Sequence, residues 1–221
     1  MSLSLGIPVF LMAFLCEFID STLGMGYGTT LTPVLLLIGF SPVQIVPAVL
    51  MSELATGALA AFMHHRAGNA FFDFRNTPEH RIVRKMGKLG YIPRSPDARI
   101  AIVLGLCSLI GAVGATLLAV SISTFHLKLV IGIIVTLMGI LILLRRKDTP
   151  VFSWKRITAL GIAAAFNKGL SGGGYGPLVT GGQILSGVGA KSAVAITSLA
   201  ESFTCLVGVL AYLATGTGID W

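Results

Sequence analysis

A short glycine-rich stretch occurs twice in this chain, and no other feature limits the possible folds as strongly. Residues 24–28, Gly-Met-Gly-Tyr-Gly, return 148 residues later as Gly-Gly-Gly-Tyr-Gly at 172–176. Within positions 24–56, eight residues that are Gly, Tyr, Thr or Glu recur at this offset: Gly24/Gly172, Gly26/Gly174, Tyr27/Tyr175, Gly28/Gly176, Thr32/Thr180, Gly39/Gly187, Glu53/Glu201 and Thr56/Thr204. Because an apolar background would repeat Leu, Ala and Val instead, the pattern indicates a duplicated structural element.

The composition places this element in a membrane. The chain is 54% hydrophobic and 11% charged, whereas a soluble protein has roughly 25% charged residues. Several apolar runs are long enough to cross a bilayer core of about 30 Å. The N-terminal apolar run has no basic residues before it, so no cleaved signal peptide is expected. The three cysteines, Cys16, Cys107 and Cys205, lie in apolar segments and are predicted to be free, buried thiols.

The chain divides into alternating apolar and basic parts. These are membrane repeat one (1–63), a basic connection (64–99), a central transmembrane hairpin (100–144), a second basic loop (145–156) and membrane repeat two (157–221). The predicted fold is therefore an all-α polytopic membrane protein with about seven membrane segments and no cofactor.

The basic residues predict the orientation of these parts. Thirteen of the sixteen Lys and Arg residues lie in 64–99 and 145–156, so the positive-inside rule makes both connections cytoplasmic. The net charge of +7 thus indicates membrane orientation rather than a nucleic-acid partner. Repeat one ends at the cytoplasmic face near His64, and repeat two begins there near Ile157. The two copies are therefore predicted to form an inverted repeat in the cytoplasmic (inner) membrane.

The glycine clusters predict broken or re-entrant helices near the membrane midplane. Non-helical backbone is tolerated at that depth only when it is buried in protein or lines a wet cavity. Glycine permits such a break, and we expect the first helix to restart near Pro33. The start of a half-helix presents free N–H groups and a positive dipole to an anion. The alternative is that these glycines serve only close helix packing.

Five charged residues lie inside the apolar segments: Glu17, Asp20, Glu53, Lys168 and Glu201. Ionisable groups in a bilayer are costly, so each is a functional candidate. The repeat sets Asp20 against Lys168, which could anchor an anion or only neutralise Asp20. Glu53 and Glu201 could exchange protons with transport, hold the loop backbone by accepting N–H bonds, or both. Asp20, Glu53 and Glu201 are therefore predicted to be coupling groups or a structural clamp.

The predicted substrate-binding residues combine the lysine with the glycine clusters. They are Gly24, Gly26, Tyr27, Gly28, Lys168, Ser171, Gly172, Gly174, Tyr175 and Gly176.

The same stretches resemble a known family. Glu17 to Glu53, with GMGYGTTLTPVLLLIGFSP, and Lys168 to Glu201, with GLSGGGYGPLVTGGQILSGV, resemble the two halves of the TauE/SafE family. Residues 98–144 resemble the mid-chain hairpin of that family, so the likeness covers most of the chain apart from the basic insert 66–96. TauE/SafE proteins are membrane permeases described as exporters of sulfite and small organosulfur anions. The resemblance implies anion transport, and the glycine motifs do not specify the substrate.

One departure from the family concerns the end of the chain. Asp97-Ala98-Arg99 leads into the central hairpin, whereas the second copy is followed only by Ile219-Asp220-Trp221. The chain is thus either a short member or lacks the last membrane segments. A short member could close its core with a second protomer, so a homodimer is one expected assembly.

Enzymatic interpretations fit the sequence poorly. Gly169-Leu170-Ser171-Gly172 resembles the nucleophile motif of rhomboid proteases, but all four histidines precede Ser171, so no membrane-embedded base follows it. His64-His65 would point to different faces of a helix, which argues against a metal site.

The sequence therefore predicts a secondary transporter for a small anion such as sulfite or a sulfonate, working by alternating access. The alternatives are a small-anion channel, or a membrane-anchored protein that binds lipid or a partner through 64–99.

Overall fold

The computed structural model describes residues 3–23, 26–143 and 152–216, and helices dominate all three ranges. The α-helices within them are α1 (Leu3–Leu23), α2 (Tyr27–Ile38), α3 (Pro42–Arg66), α4 (Arg81–Met86), α5 (Pro96–Ser121), α6 (Thr124–Leu143), α7 (Trp154–Ser171), α8 (Tyr175–Leu185) and α9 (Ala190–Ala214). Within the same ranges the extended pairing is a single isolated bridge, between Asn76 and Pro93. The helical class predicted from the sequence is confirmed.

The helices repeat along the chain with the same spacing as the glycine motifs. α2 begins at Tyr27 and α8 at Tyr175. α3 and α9 are both 25 residues long, and each bound of α9 lies 148 positions after the matching bound of α3. The duplication is therefore visible in helix length as well as in sequence. The inverted orientation of the two copies across a membrane stays a prediction.

Local sequence signals explain where the long helices begin. Gln44 Oε1 accepts the backbone N–H of Ser41 at 3.2 Å, and Pro42 is the first residue of α3. At α5, the Ser95 hydroxyl accepts the Ala98 N–H at 3.2 Å, again before a proline. Such capping satisfies N–H groups that have no partner inside the helix, and proline has no N–H there to satisfy.

Three of the described helices, α3, α5 and α9, are long and apolar enough to cross a membrane. At 1.5 Å per residue, 25 residues extend over roughly 38 Å, more than a bilayer core of about 30 Å. α2 and the part of α6 from Thr124 to Ile133 are shorter apolar helices. The predicted total of about seven membrane segments stays a prediction.

Small residues bring the central helices close together. α5 packs along α7 and α9, and α9 packs along α3. A Cβ atom on Gly111 of α5 would lie 2.6 Å from the carbonyl oxygen of Ile162 on α7, so the two helices approach within backbone distance. Large apolar side chains face outward instead, as in the i, i+4 row Phe10, Phe14 and Phe18 on α1, each more than 60% exposed. Small residues inside and large ones outside are expected of a bundle surrounded by lipid.

The basic connection is itself folded. The Asp73 carboxylate accepts hydrogen bonds from Nε and Nη2 of Arg75 at 3.0 and 2.9 Å. These bonds lower the pKa of Asp73 to about 2. Phe72 packs against the apolar cluster formed by α5, α7, α8 and α9. The connection is thus fastened to the helices and is more than a charged tether.

Candidate functional site

The two glycine clusters are in contact with each other. A Cβ atom on Gly173 would lie 2.5 Å from the carbonyl carbon of Gly28 and 2.5 Å from the amide nitrogen of Thr29. One on Gly28 would overlap the carbonyl group of Gly172. Because real Cβ atoms essentially never approach another heavy atom within 3.0 Å, the two segments can cross this closely only without side chains.

A hydrogen bond joins the two clusters at this crossing. Gly174, the residue before α8, has φ +76°, a left-handed conformation that favours glycine. Its N–H donates to Oγ1 of Thr29 on α2 at 2.8 Å. The start of α8 is therefore fixed directly to the start of α2.

The first helix restarts earlier than predicted. α2 begins at Tyr27 and includes Pro33 in its interior, so the prediction of a restart near Pro33 was wrong. The reason is that carboxylates accept the first N–H groups of α2. Tyr27 N–H donates to Asp20 Oδ1 at 3.4 Å, and Gly28 N–H donates to Glu53 Oε1 at 3.2 Å. With these acceptors the helix can begin directly after the glycine cluster.

Lys168 is the buried cation beside the crossing. Its side chain is 1% exposed, and its Nζ forms ion pairs with Glu53 Oε2 and with Glu201 Oε1, the latter at 2.8 Å. Asp20, the residue that the repeat sets against Lys168, bonds instead to the start of α2. An unpaired buried ammonium would be costly, and two carboxylates stabilise it. The lysine thus joins α7 to both α3 and α9.

The second break offers hydrogen-bond donors where the first offers acceptors. Asn167 is 5% exposed, and its Nδ2 is a buried donor without a partner in the described part of the chain. This amide lies against Gly174, at the start of α8. Lys168 stands where the first copy has Asp20, and an ammonium group cannot accept an N–H bond as Asp20 does. The N-terminus of α8 is therefore suited to a ligand that accepts hydrogen bonds, such as an anion.

The other predicted site residues surround these groups. Tyr27 and Tyr175 are the first residues of α2 and α8, and the Tyr27 hydroxyl donates to Ser52 Oγ at 3.1 Å. Gly26 and Gly172 cap helix ends, and Gly176 is buried near the start of α8.

Ser171 and Gly24 complete the predicted set. The Ser171 hydroxyl bonds to Asn167 O at 2.9 Å and Asn167 Oδ1 at 3.1 Å, and it accepts the Gly173 N–H at 3.2 Å. Ser171 therefore orients Asn167 and the turn. Gly24 lies outside the described residues.

Sequence reasoning left out Asn167 and Thr29 as site residues. Asn167 stands next to Lys168, and a polar side chain in an apolar segment is a usable signal. Thr29 gives no such signal, because its partner Gly174 is 145 residues away and the repeat sets Pro177 at its place.

Comparison with known proteins identifies the family. The sequence profile described as "Sulfite exporter TauE/SafE" matches residues 9–76 and 86–221. The chain belongs to the TauE/SafE family. The match confirms the resemblance inferred from the glycine motifs, and it extends into the basic insert, where only residues 77–85 are unmatched. As a TauE/SafE protein with several long apolar helices, the chain is a multi-pass cell-membrane protein.

One relative, from Bacillus subtilis (strain 168), carries the description "Probable membrane transporter protein YtnM". It is 27% identical over 182 residues, in an alignment that covers 76% of this chain and 51% of the relative. The chain thus spans about half the length of that relative. No solved structure shows a significant match to the chain.

Proposed function

We propose that this TauE/SafE protein is a secondary transporter that moves a small anion, sulfite or an organosulfur anion such as a sulfonate, by alternating access. The observation that carries the proposal is the unpaired Asn167 Nδ2 donor, which lies at the start of α8 beside the buried Lys168. The names of the family and of the Bacillus subtilis protein support a transport function.

The proposed anion lies between three kinds of donor. The first N–H groups of α8 point to it with the positive end of the helix dipole. The Asn167 amide supplies a further N–H, and the Lys168 ammonium contributes positive charge once one of its two glutamate ion pairs is given up. A sulfite or sulfonate group has three oxygens that can accept these bonds together. The unpaired Asn167 Nδ2 can donate a hydrogen bond to an anion and has no lone pair to offer a cation.

The glycine crossing supports the transport mechanism. Discontinuous helices that meet near the midplane of opposed repeats form the binding site in many secondary transporters. Here α2 begins one residue before Gly28 and α8 begins two residues after Gly173, and these two glycines are in backbone contact. We place the substrate at this crossing. Access to it alternates between the two sides of the membrane when one copy of the repeat moves against the other.

The test is flux of radiolabelled sulfite and methanesulfonate into proteoliposomes. Asn167→Asp replaces the donor by a carboxylate of the same size, and Lys168→Met removes the charge. Both variants should reduce flux by at least tenfold, while Lys191→Met, which removes an exposed lysine at the start of α9, should not change it. Thermal unfolding in detergent checks that each variant is folded.

Flux that is unchanged in a folded Asn167→Asp protein would move the site away from α8. Absence of sulfite and methanesulfonate flux in the folded wild type would contradict the substrate class. Flux that does not saturate and is not stimulated by anion on the opposite side would indicate the channel alternative.

A second candidate function belongs to the basic insert 64–99. Ile82, Met86 and Leu89 are at least half exposed there and lie among lysines and arginines, a combination suited to an anionic membrane surface. Arg84→Gln with Lys85→Gln should leave flux unchanged if the insert only sets orientation. If the double variant keeps normal flux in proteoliposomes but no longer supports the role of the protein in cells, the binding function is favoured.

A further inference from the structure

A cleft extends from the loop after α3 to Glu17 on α1. It has a volume of about 480 Å³ and lies between α1 and α3. Its polar lining is formed by Glu17, Ser21 and Thr56 at one end and by His64 and Asn69 at the other. The described residues that line it include no lysine and no arginine. The Glu17 carboxylate at the inner end, with no lysine or arginine lining the cleft, repels an anion, so we do not place the route of the substrate anion here.

Glu17 is the ionisable group at the inner end of the cleft. The Ser21 hydroxyl donates to its Oε1 at 3.2 Å. Its Oε2 is buried. Glu17 and Asp20 are three residues apart on α1, so they lie on the same side of the helix. Glu17 therefore connects the cleft to the carboxylate at the start of α2.

The carboxylates continue from Asp20 to the ion pairs of Lys168. Asp20 is close enough to Lys168 and Glu201 to interact with both electrostatically. Glu17, Asp20, Glu53 and Glu201 thus surround one lysine. Fully ionised, this group would carry three uncompensated negative charges in an apolar interior, which is too costly to persist. The carboxylates must therefore hold protons in part of the cycle.

Titratable groups on five helices interact electrostatically with the Glu53–Glu201 pair. The titratable groups that act on the pair are Glu17 and Asp20 on α1, Tyr27 on α2, Lys168 on α7, Tyr175 on α8 and Cys205 on α9. Lys168 is the single cation among them, so a glutamate that takes up a proton gives up its ion pair with this lysine.

We propose that the cleft is a proton access path, that Glu17 is its relay residue, and that anion transport is coupled to protons in symport. This inference rests on the proposed function. A proton passes from water in the cleft to the Glu17 carboxylate, then to Asp20, and then to a carboxylate of the Glu53–Glu201 pair. The neutral glutamate gives up its ion pair with Lys168, which frees an N–H of the ammonium to pair with the substrate anion, while the other glutamate stays paired. After the anion leaves, the glutamate loses its proton and pairs with Lys168 again.

The test uses methanesulfonate, because a sulfonate stays anionic over the working pH range and carries no proton itself. Proteoliposomes contain a pH-sensitive dye, and radiolabelled methanesulfonate is supplied outside at equal or at acidic external pH. For one-to-one coupling, a gradient of about one pH unit drives up to about tenfold accumulation. The wild type should show this overshoot together with internal acidification.

The variants separate Glu17 from the substrate site. Glu17→Gln should lose the overshoot and the acidification but keep methanesulfonate exchange at equal pH, which needs no net proton movement. Glu17→Asp should keep part of the overshoot. The matched control is Glu79→Gln, the same change on an exposed loop residue, which should behave as the wild type.

Each contrary result has a distinct meaning. Exchange without any pH-driven overshoot in the wild type would overturn proton coupling and leave the proposed function intact. Accumulation driven by a sodium gradient would replace the proton by sodium and would also overturn the inference. A full overshoot in Glu17→Gln would overturn the route through the cleft. Absence of exchange in folded wild-type protein would contradict the proposed function itself.

Discussion

Replacing Gly173 by alanine tests the crossing of the two breaks most directly. The new Cβ would lie 2.5 Å from the carbonyl carbon of Gly28, whereas ordinary contacts begin near 3.4 Å. The two segments must therefore separate by about 0.9 Å. Such a shift would lengthen the Gly174–Thr29 hydrogen bond from 2.8 Å to beyond the range of hydrogen bonding.

Two contributions set the expected loss of stability. Overpacking a well-packed site costs about 1–3 kcal/mol, and the lost hydrogen bond costs about 0.5–1.5 kcal/mol. Together they predict a loss of about 1.5–4.5 kcal/mol, which corresponds to a fall in Tm of about 3–18 °C for a domain of this size. Anion flux should fall as well, because the start of α8 moves away from α2.

The assay is thermal unfolding in detergent, followed by fluorescence of the two tryptophans, with flux measured on the same preparations. The matched control is Gly114→Ala on the exposed face of α5, where a Cβ meets nothing within 4 Å. Because alanine favours helix over glycine, the control should be neutral or slightly stabilising. Equal Tm values and equal flux for Gly173→Ala and Gly114→Ala would refute the close backbone crossing.

Three further predictions concern single contacts. Ser95→Ala should destabilise the protein by about 0.5–2 kcal/mol in detergent melts, because its hydroxyl caps α5 and also accepts the Asp73 N–H. Tyr212→Phe should cost about 1–2 kcal/mol in the same assay, since the Tyr212 hydroxyl bonds the carbonyl oxygen of Gly169 near the end of α7. Arg75 lowers the pKa of Asp73, so their pairing stabilises the insert above about pH 4 and is lost as the pH falls toward about 2. Hydrogen exchange of the insert should increase over that range in the wild type, and Arg75→Gln should remove the change.

The sequence predicts those features of the fold that only a few residue types can provide. A glycine cluster and embedded charges are rare in a membrane segment, so their recurrence at 148 residues predicted two broken helices, and helix bounds repeat at that spacing. The exact restart of α2 was not predictable from Pro33. It depends on acceptors from Asp20 on α1 and Glu53 on α3, and both of these come from other helices.

The partners of Lys168 were also beyond the sequence. The repeat register relates residues that occupy equivalent positions, and equivalent positions need not be in contact. Lys168 therefore corresponds to Asp20 but pairs with Glu53 and Glu201, which correspond to each other. The contact of Thr29 with Gly174 is likewise set by how the two copies dock, and no local pattern reports that docking.

The crossing of Gly28 and Gly173 also has a mechanical consequence. Side chains absorb a small displacement by changing rotamer, so a contact made by side chains is compliant. Here Gly28 and Gly173 touch through their backbones, and at that contact there is no rotamer to change. A displacement of α2 is therefore passed to the turn between α7 and α8 without loss. The crossing acts as a stiff pivot, so one copy can turn against the other about this contact but cannot slide past it.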